Sequence, residues 1–380
     1  MQNRIFLLTL ILTLVASAAL AAGGGQLEAK AVHGVTILID FEDAVQDPRY
    51  TPAELDDFMN LPGYTGFDNN GSVRDYFLDV SDGLYDYTNQ VTTEYFRAPE
   101  PQEYYKDETF GFSRVRILVT QALQYFDDQG FDFTQFDSDG DFVIDAINVL
   151  YAFSSDQGGL RAHASDDLTI VLDGYQAEKY QVTGLRNSRP PLVTVVHENG
   201  HMLFDWPDLY VGPSSSAGDL GAYCIMGGAT TYAGYNDPVE PNAFYKWKAG
   251  WIVPIKFDGQ TANGFLRDDI NQAGIIRHPD YPLNQECYIL ENRQATGRDT
   301  RLPASGIAVY HIADATDVGS EIYLFEADGG FEVRDGINDG ESSDLWHAPH
   351  YTAFDFASFP AFTWEDGTMA SFHMENISAA

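Results

Sequence analysis

His197 and His201 stand four residues apart in the run VHENGHML, with Glu198 between them. Positions four apart on an α-helix differ by about 40° in azimuth and about 6 Å in rise, so the two imidazoles project from one face. Neutral imidazole is a zinc ligand, and a catalytic zinc keeps one position open for water. A glutamate beside the first histidine lies next to that position, where it can take a proton from water and hand it to a leaving group. The flanking residues are apolar, LVTVV before the motif and ML after it, and buried charge is costly unless it is paired. A metal ion offsets that burial and leaves the glutamate for chemistry. A structural zinc would more often draw on cysteines, with no glutamate alongside.

Two histidines do not complete a zinc site. The text that follows, FDWPDLYVGPSSSAGDLGAYCIMGG, offers Asp205, Asp208 and Asp219. Asp208, in the PDLY segment just beyond the helix, is the preferred third ligand. Asp219 and Asp205 are the alternatives, and each of the three could instead cap a turn or support a ligand from behind. His163 in LRAH is a more remote candidate, read first as a scaffold histidine. Met226 in YCIMGG would pack as an apolar floor under a metal; a lone methionine is otherwise core. Tyr232 and Tyr235 could donate a hydrogen bond to a developing oxyanion, or simply pack.

FDSDGDFVID sets Asp137, Asp139, Asp141 and Asp145 at alternating positions, with the Val143 carbonyl between. Hard oxygen ligands at this spacing suit calcium (Ca2+), and Gly140 permits the tight turn. It is not a full EF-hand, because Phe142 holds the sixth position and Asn148 the twelfth. Bound calcium would pin the strand AINVLYAF that follows; the alternative is a solvated acidic turn. HAPH pairs His347 with His350 across a proline and reads as a surface loop. Neither G-x-x-x-x-G-K nor G-x-S-x-G occurs, which removes phosphate-loop and serine-elbow chemistry.

The elements that must position these groups are legible in outline. VTILIDF is apolar throughout and reads as a buried strand, as does AINVLYAF. TPAELDDFM opens with Thr51 and Pro52 at cap and first helical positions, and SVRDYFLDVS offers Ser72 as a cap. LYDYTNQVTTEYF has strand composition. FSRVRILVTQALQYF places Val115, Leu118, Val119, Ala122 and Phe126 on one helical face. NSRPPLVTVVHENGHML begins a helix with Pro190 and Pro191 in its first turn. After about Trp251 the texture changes: ECYILENR, GIAVYHI and SEIYLFEAD are strand-like runs between Gly, Asp and Pro clusters.

The chain has 380 residues, enough for a large core without a disulfide lattice. With 57 acidic against 21 basic residues its net charge is −36. Such a field repels nucleic acid and anionic membranes, so neither is expected as a partner. It suits salty water, where counter-ions screen self-repulsion, or else part of it holds cations. The start, MQNRIFLLTLILTLVASAALAA, has Arg4, an apolar stretch from Ile5 to Val15 and the small-residue triplets ASA and ALA. That is the order of a secretory signal peptide, assigned to residues 1–21. An uncleaved anchor is the alternative, disfavoured by the short apolar stretch and its alanine-rich end. The expectation is an exported, soluble protein with no membrane association after cleavage. Cys224 and Cys287 could form one bridge outside the cell, but spacing does not show that they meet. No feature specifies an oligomeric state.

Taken together, these residues resemble the immune inhibitor A-like secreted zinc metallopeptidases, which are related to the metzincins. The resemblance rests on HENGHMLFDWPDLY, and also on GVTILIDFED, GSVRDYFLDVSDGLYDYTNQV, FDSDGDFVIDAINVLYAF, GAYCIMGG, AFYKWKAGW, ECYILENRQ and SGIAVYHI, in family order over most of the mature chain. It implies a metalloendopeptidase that hydrolyses peptide bonds of extracellular proteins with zinc (Zn2+). His197 and His201 would be zinc ligands, Glu198 the general base and Met226 part of a metzincin-type Met-turn. The implied fold is α+β: a metallopeptidase catalytic domain over residues 22–250, with a mixed sheet and an active-site helix, then a β-rich C-terminal region over 251–380. There are departures. Metzincin-like motifs usually carry glycine three residues after the second histidine, where this chain has Phe204; one extra residue separates His201 from PDLY; and Ala222 stands where some relatives have glutamate. Relatives often carry a blocking pro-segment, whereas here VTILIDF follows the signal almost at once. A catalytically idle adhesion protein on the same scaffold is the rival reading, opposed by the intact Glu198. An exopeptidase is a further one, though no residue pattern specifies capture of a chain terminus.

Overall fold

A computed structural model of the chain describes residues 27–106, 112–152, 160–185, 190–210, 219–228, 236–257, Leu266, 271–353, 362–370 and 372–377. The expected signal peptide, Tyr232 and Tyr235 lie outside these residues. Strand β1 (Lys30–Asp40) is buried on both faces from Val35 onward, as its unbroken apolar run requires of a strand inside a parallel sheet. It pairs in parallel with β2 (Tyr85–Val91) on one side and β4 (Ile147–Ala152) on the other; Val35 stands opposite Gln90 and Ile147. The short β3 (Phe96–Arg97) runs beside the end of β1, so LYDYTNQVTTEYF divides into two strands. β4 pairs in parallel with β8 (Tyr180–Leu185), and β5 (His163–Ser165) closes that edge antiparallel. The order is β2-β1-β4-β8-β5. Between β5 and β8, β6 (Ile170–Leu172) and β7 (Tyr175–Ala177) form a hairpin through Asp173 and Gly174. Both turn residues have positive φ, the conformation that Asp-Gly favours in two-residue hairpins.

Helices cover both faces of this sheet. Helix α1 (Pro52–Asn60) is capped by the Thr51 hydroxyl, which accepts from the Glu54 N–H at 3.1 Å. Helix α2 (Val73–Val80) starts in a capping box between Ser72 and Asp75. A single turn, α3 (Gln102–Tyr105), precedes α4 (Ser113–Asp128), whose stripe Val115, Leu118, Val119, Ala122 and Phe126 is buried as the 3.6-residue period predicts. It packs on the face that carries Val35, Ile37 and Ile39. The opposite face, with Leu38 and Tyr87, is covered by α1, α2 and α5 (Leu192–Phe204).

Beyond α6 (Ala243–Lys248) a second sheet has the order β13-β12-β11-β10-β9. Its strands are β9 (Ile255–Lys256), β10 (Ala273–Arg277), β11 (Cys287–Arg293), β12 (Gly306–Ile312) and β13 (Ile322–Leu324). All neighbours are antiparallel except β9 and β10. One face, with Ile289 and Tyr310, joins the core that contains α2 and α5, so a single apolar interior runs across residue 250. The other face, with Tyr288 and Val309, packs on Trp346, Phe362 and Trp364. The class is therefore mixed: among the described residues, two larger sheets and the β6–β7 hairpin with a few helices. Cys224 and Cys287 are both buried free thiols, not a disulfide. Among the described residues no helix is long and apolar enough to cross a membrane.

Candidate metal centre

Helix α5 carries the histidine pair. Pro191 occupies its cap rather than its first turn, with its carbonyl accepting from the Val195 N–H at 3.0 Å. Proline there forfeits no hydrogen bond, since first-turn N–H groups have no partner inside the helix. The helix runs on through Phe204, and the chain turns at Asp205, which is left-handed (φ 55). Aspartate tolerates that conformation better than most residues. Phe204 stacks on Trp206 at 4.6 Å and packs on Trp251, so it serves as apolar anchor while the turn falls one residue later.

The turn returns Asp208 to the histidines. Nε2 of His197 lies 3.1 Å and Nε2 of His201 lies 3.2 Å from Oδ1 of Asp208. Each ring is fixed from behind by its Nδ1–H, which donates to the Ile225 carbonyl at 2.9 Å for His197 and to the Trp206 carbonyl for His201. Backbone carbonyls can only accept, so both rings present unprotonated Nε2 atoms in their neutral form, the orientation that supporting hydrogen bonds give metal-ligating histidines. Donor atoms of His197, His201 and Asp208 lie within 4.8 Å of one another.

The chemistry of that set asks for positive charge at its centre. Two imidazole nitrogens and a carboxylate are all acceptors unless a proton or a metal ion stands between them. Without metal the protons remain: burial works against a charged His197, but the Asp208 hydrogen bond and the Glu198 and Asp208 charges raise it to about 9. Burial would likewise raise Asp208, yet hydrogen bonds from both histidines hold it well below the ordinary carboxylate range. Two neutral imidazoles and one carboxylate also match the donor chemistry of a divalent zinc. The residues fit the ion.

Glu198 is 6% exposed, and its carboxylate makes no hydrogen bond among the described residues. Burial raises its pKa, with Asp208 adding to the effect against the two histidines. Met226 lies beneath the helix: a Cβ on Gly200 would stand 2.7 Å from its sulfur and 3.0 Å from the Trp206 ring, so only glycine admits this contact. Tyr210 stacks over His197 at 6.3 Å and its phenol interacts with Asp208, a role its place in PDLY did not reveal.

The other candidates go elsewhere. Asp205 is exposed and pairs with Lys179 at 2.6 Å. Asp219 is buried, and its Oδ1 accepts from the Gly221 N–H at 2.8 Å. His163 is buried in β5 against Phe112, with ring centroids 3.8 Å apart. His347 and His350 have ring centroids 6.4 Å apart and fall in none of the potential metal-binding groups. In the acidic loop, Asp137, Asp139 and Asp141 bring oxygens within 4.8 Å, while Asp145 accepts from the Ser138 N–H at 2.7 Å and is not in the group. Phe142 adopts positive φ there (67°), a strained choice for an aromatic residue. No protein-family model matches the chain, and a search of curated proteins returns no match.

Proposed function

We propose that the chain is a secreted zinc-dependent metalloendopeptidase of the immune inhibitor A-like, metzincin-related kind. His197, His201 and Asp208 hold the zinc and Glu198 is the general base. The observation that carries this reading is the convergence of both Nε2 atoms on the Asp208 carboxylate, beside a buried Glu198 whose carboxylate makes no hydrogen bond among the described residues. A mixed sheet with α5 against it, and Met226 under Gly200, agree with what the motif resemblance implies.

Zinc, when bound, supplies a Lewis acid that acidifies water and polarises a peptide carbonyl. The protein's own groups do the rest. His197 and His201 keep their rings fixed through Ile225 and Trp206. Glu198 accepts the proton that the attacking water loses and passes it to the departing amide nitrogen. Its burial raises the affinity of the carboxylate for that proton, which favours the second transfer. Tyr210, stacked over His197, is placed to orient Asp208. In the same reading Asp137, Asp139 and Asp141 bind calcium and brace the start of β4, and residues 1–21 direct export.

The test is a zinc analysis and a casein assay on the purified protein and on Glu198→Gln. One zinc per chain is expected in both, with hydrolysis abolished by a chelator and restored by zinc. The variant should lose at least about 100-fold in rate. A protein that takes up no zinc on dialysis, or a variant that cleaves at the parental rate, would reject the reading. Zinc bound without any cleavage would point instead to an idle adhesion protein on this scaffold.

A further inference from the structure

The loop that follows β13 carries carboxylates the reaction does not use. Oxygens of Glu326, Asp328 and Glu332 lie within 4.8 Å of one another, and so do oxygens of Asp328, Glu341 and Asp344. Asp328 belongs to both sets, which joins them. Among the described residues no basic side chain forms a salt bridge with any of the five; the neighbouring Arg334 pairs with Asp335 at 2.8 Å.

Acidic clusters are common on solvated surfaces, but this one reaches into the interior. Asp344 is 1% exposed. Its Oδ2 accepts from the Glu341 N–H at 2.7 Å and the Tyr223 hydroxyl at 3.0 Å, while its Oδ1 is closed off from solvent with no hydrogen-bond partner among the described residues. Oε2 of Glu332 is likewise buried and without a hydrogen-bond partner among the described residues. Glu326 is fully buried, and its two oxygens accept from the N–H groups of Glu332, Val333 and Arg334 at 3.0, 3.1 and 3.4 Å. Buried polar atoms are nearly always satisfied. Of the five carboxylates Glu326 and Asp344 are buried, and burial raises both above the ordinary carboxylate range, to about 8 and about 6, a cost that a bound cation would remove. What would satisfy them is a cation.

We propose that Glu326, Asp328, Glu332, Glu341 and Asp344 form a divalent-cation site that accepts calcium and fastens this loop to the turn carrying Met226. Calcium takes six to eight oxygens in flexible geometry, and carboxylates from a single loop with backbone oxygens and water supply such a shell. The connection to the turn is direct. The Tyr223 hydroxyl donates to the Glu341 carbonyl and to Asp344, both at 3.0 Å. The Ala222 N–H donates to the Asp339 carbonyl at 2.7 Å. Gly221, at φ 49, lies so close that any Cβ would run into that same carbonyl. Two residues after Tyr223 comes Ile225, whose carbonyl holds His197. Loading the loop therefore stiffens the floor on which His197 rests.

The test uses the full chain in an Asp139→Asn background, so that the 137–141 loop does not contribute. The protein is stripped with EGTA and titrated with calcium alone, followed by calorimetry and thermal unfolding. One saturable calcium is expected, with a rise in Tm. Asp344→Asn and Glu332→Gln should each weaken that binding by about tenfold or more. In EGTA, Asp344→Asn should melt at or above the parent temperature, because one of five clustered charges is gone; Glu332→Gln, at a partly exposed position, decides the matter should the first variant fail to fold. A parent that takes up no calcium at millimolar concentration overturns the proposal. So does undiminished binding in both variants.

Discussion

Asn199, next to Glu198 on α5, donates through Nδ2 to Oδ1 of Asn148 at 3.0 Å, in the middle of the parallel sheet. Nδ2 of Asn148 donates to the Tyr87 hydroxyl at 2.7 Å, and that hydroxyl donates back to Oδ1 of Asn199 at 3.1 Å, closing a ring. Gln181 from β8 adds a further donor to Asn148 at 3.0 Å. Residues two apart on a helix point about 200° from one another. Tying Asn199 to the sheet therefore turns His197 and His201 away from it, toward the Met226 turn and Asp208. Polar burial here sets the azimuth of the helix, which apolar packing alone leaves free to slip.

Asn199→Leu should accordingly cost roughly 2–3 kcal/mol in urea unfolding, since it leaves the Tyr87 hydroxyl proton without its acceptor in the interior and removes one of the two donors to the Asn148 oxygen. A double-mutant cycle with Asn148→Ala should show a coupling energy of about 1 kcal/mol or more. Strict additivity would mean that the ring is not acting as a unit. Zinc affinity should fall with stability in Asn199→Leu, because the histidines lose their fixed direction.

Three aspartates compete for the third ligand position in the sequence, and the structure separates them by geometry. Asp208→Asn should weaken zinc binding by about 100-fold or more, as removal of a ligand costs at least as much as removal of its support. Asp205→Asn should leave it unchanged, because that side chain pairs with Lys179 in solvent. Asp219→Asn keeps an acceptor for the Gly221 N–H and should also retain zinc. Equal losses in all three would show that the effect is one of folding and not of coordination.

Local signals were readable and long-range ones were not. Thr51 and Ser72 announce their helices because a cap is written within four residues, and the stripe of α4 because its period is short. VHENGHML is read as a helix face for the same reason. The ring of Tyr87, Asn148 and Asn199 links positions up to 112 apart, so no window contains it. Strand β8 carries no apolar signature, because YQVTGL looks half polar, yet Gln181 and Thr183 are buried and satisfy one another at 2.7 Å. Asp208 stands first among the three aspartates by its place in PDLY, but what carries it back to the histidines is the left-handed turn at Asp205, which the spacing of aspartates does not show. The carboxylates of residues 326–344 are five among 57 acidic side chains, and only burial sets them apart.

Arg293 is fully enclosed and joins the rear sheet to the site. Its Nε and Nη2 clasp Asp299 at 2.6 and 2.8 Å, and Nη1 donates to the Tyr223 carbonyl at 2.9 Å. Asp299 in turn accepts from the Glu240 N–H at 3.0 Å. Arg293→Met would keep much of the volume but leave Asp299 buried without its partner. Breaking one side of such a pair costs about 3–5 kcal/mol, so a marked fall in Tm is expected. Arg293→Met combined with Asp299→Leu should recover much of the loss, since an apolar pair of similar volume carries no stranded charge. A single variant as stable as the parent would show that the pair does not secure the turn.

His163 gives the acid limb of the stability curve a specific cause. Its ring lies against Phe112, Nδ1 is 2.9 Å from the Arg161 carbonyl, and Nε2 is buried with no hydrogen-bond partner among the described residues. Burial pushes its pKa down to about 4, against about 6.5 for an exposed histidine. Between those values the unfolded chain binds a proton that the folded chain refuses, so folding weakens as pH falls from about 6.5 toward 4 and this contribution levels off below that. The limiting slope is about 1.4 kcal/mol per pH unit. His163→Phe keeps an aromatic ring on Phe112 and removes the titration. Comparing the two proteins by urea unfolding at pH 6.5, 5.5 and 4.5 cancels every other titrating group, including buried carboxylates that respond in the opposite sense. The gap should shift in favour of the variant with each step down in pH. A gap that stays constant would mean that His163 takes up its proton as readily in the folded protein as in the unfolded chain, and the burial argument would fail.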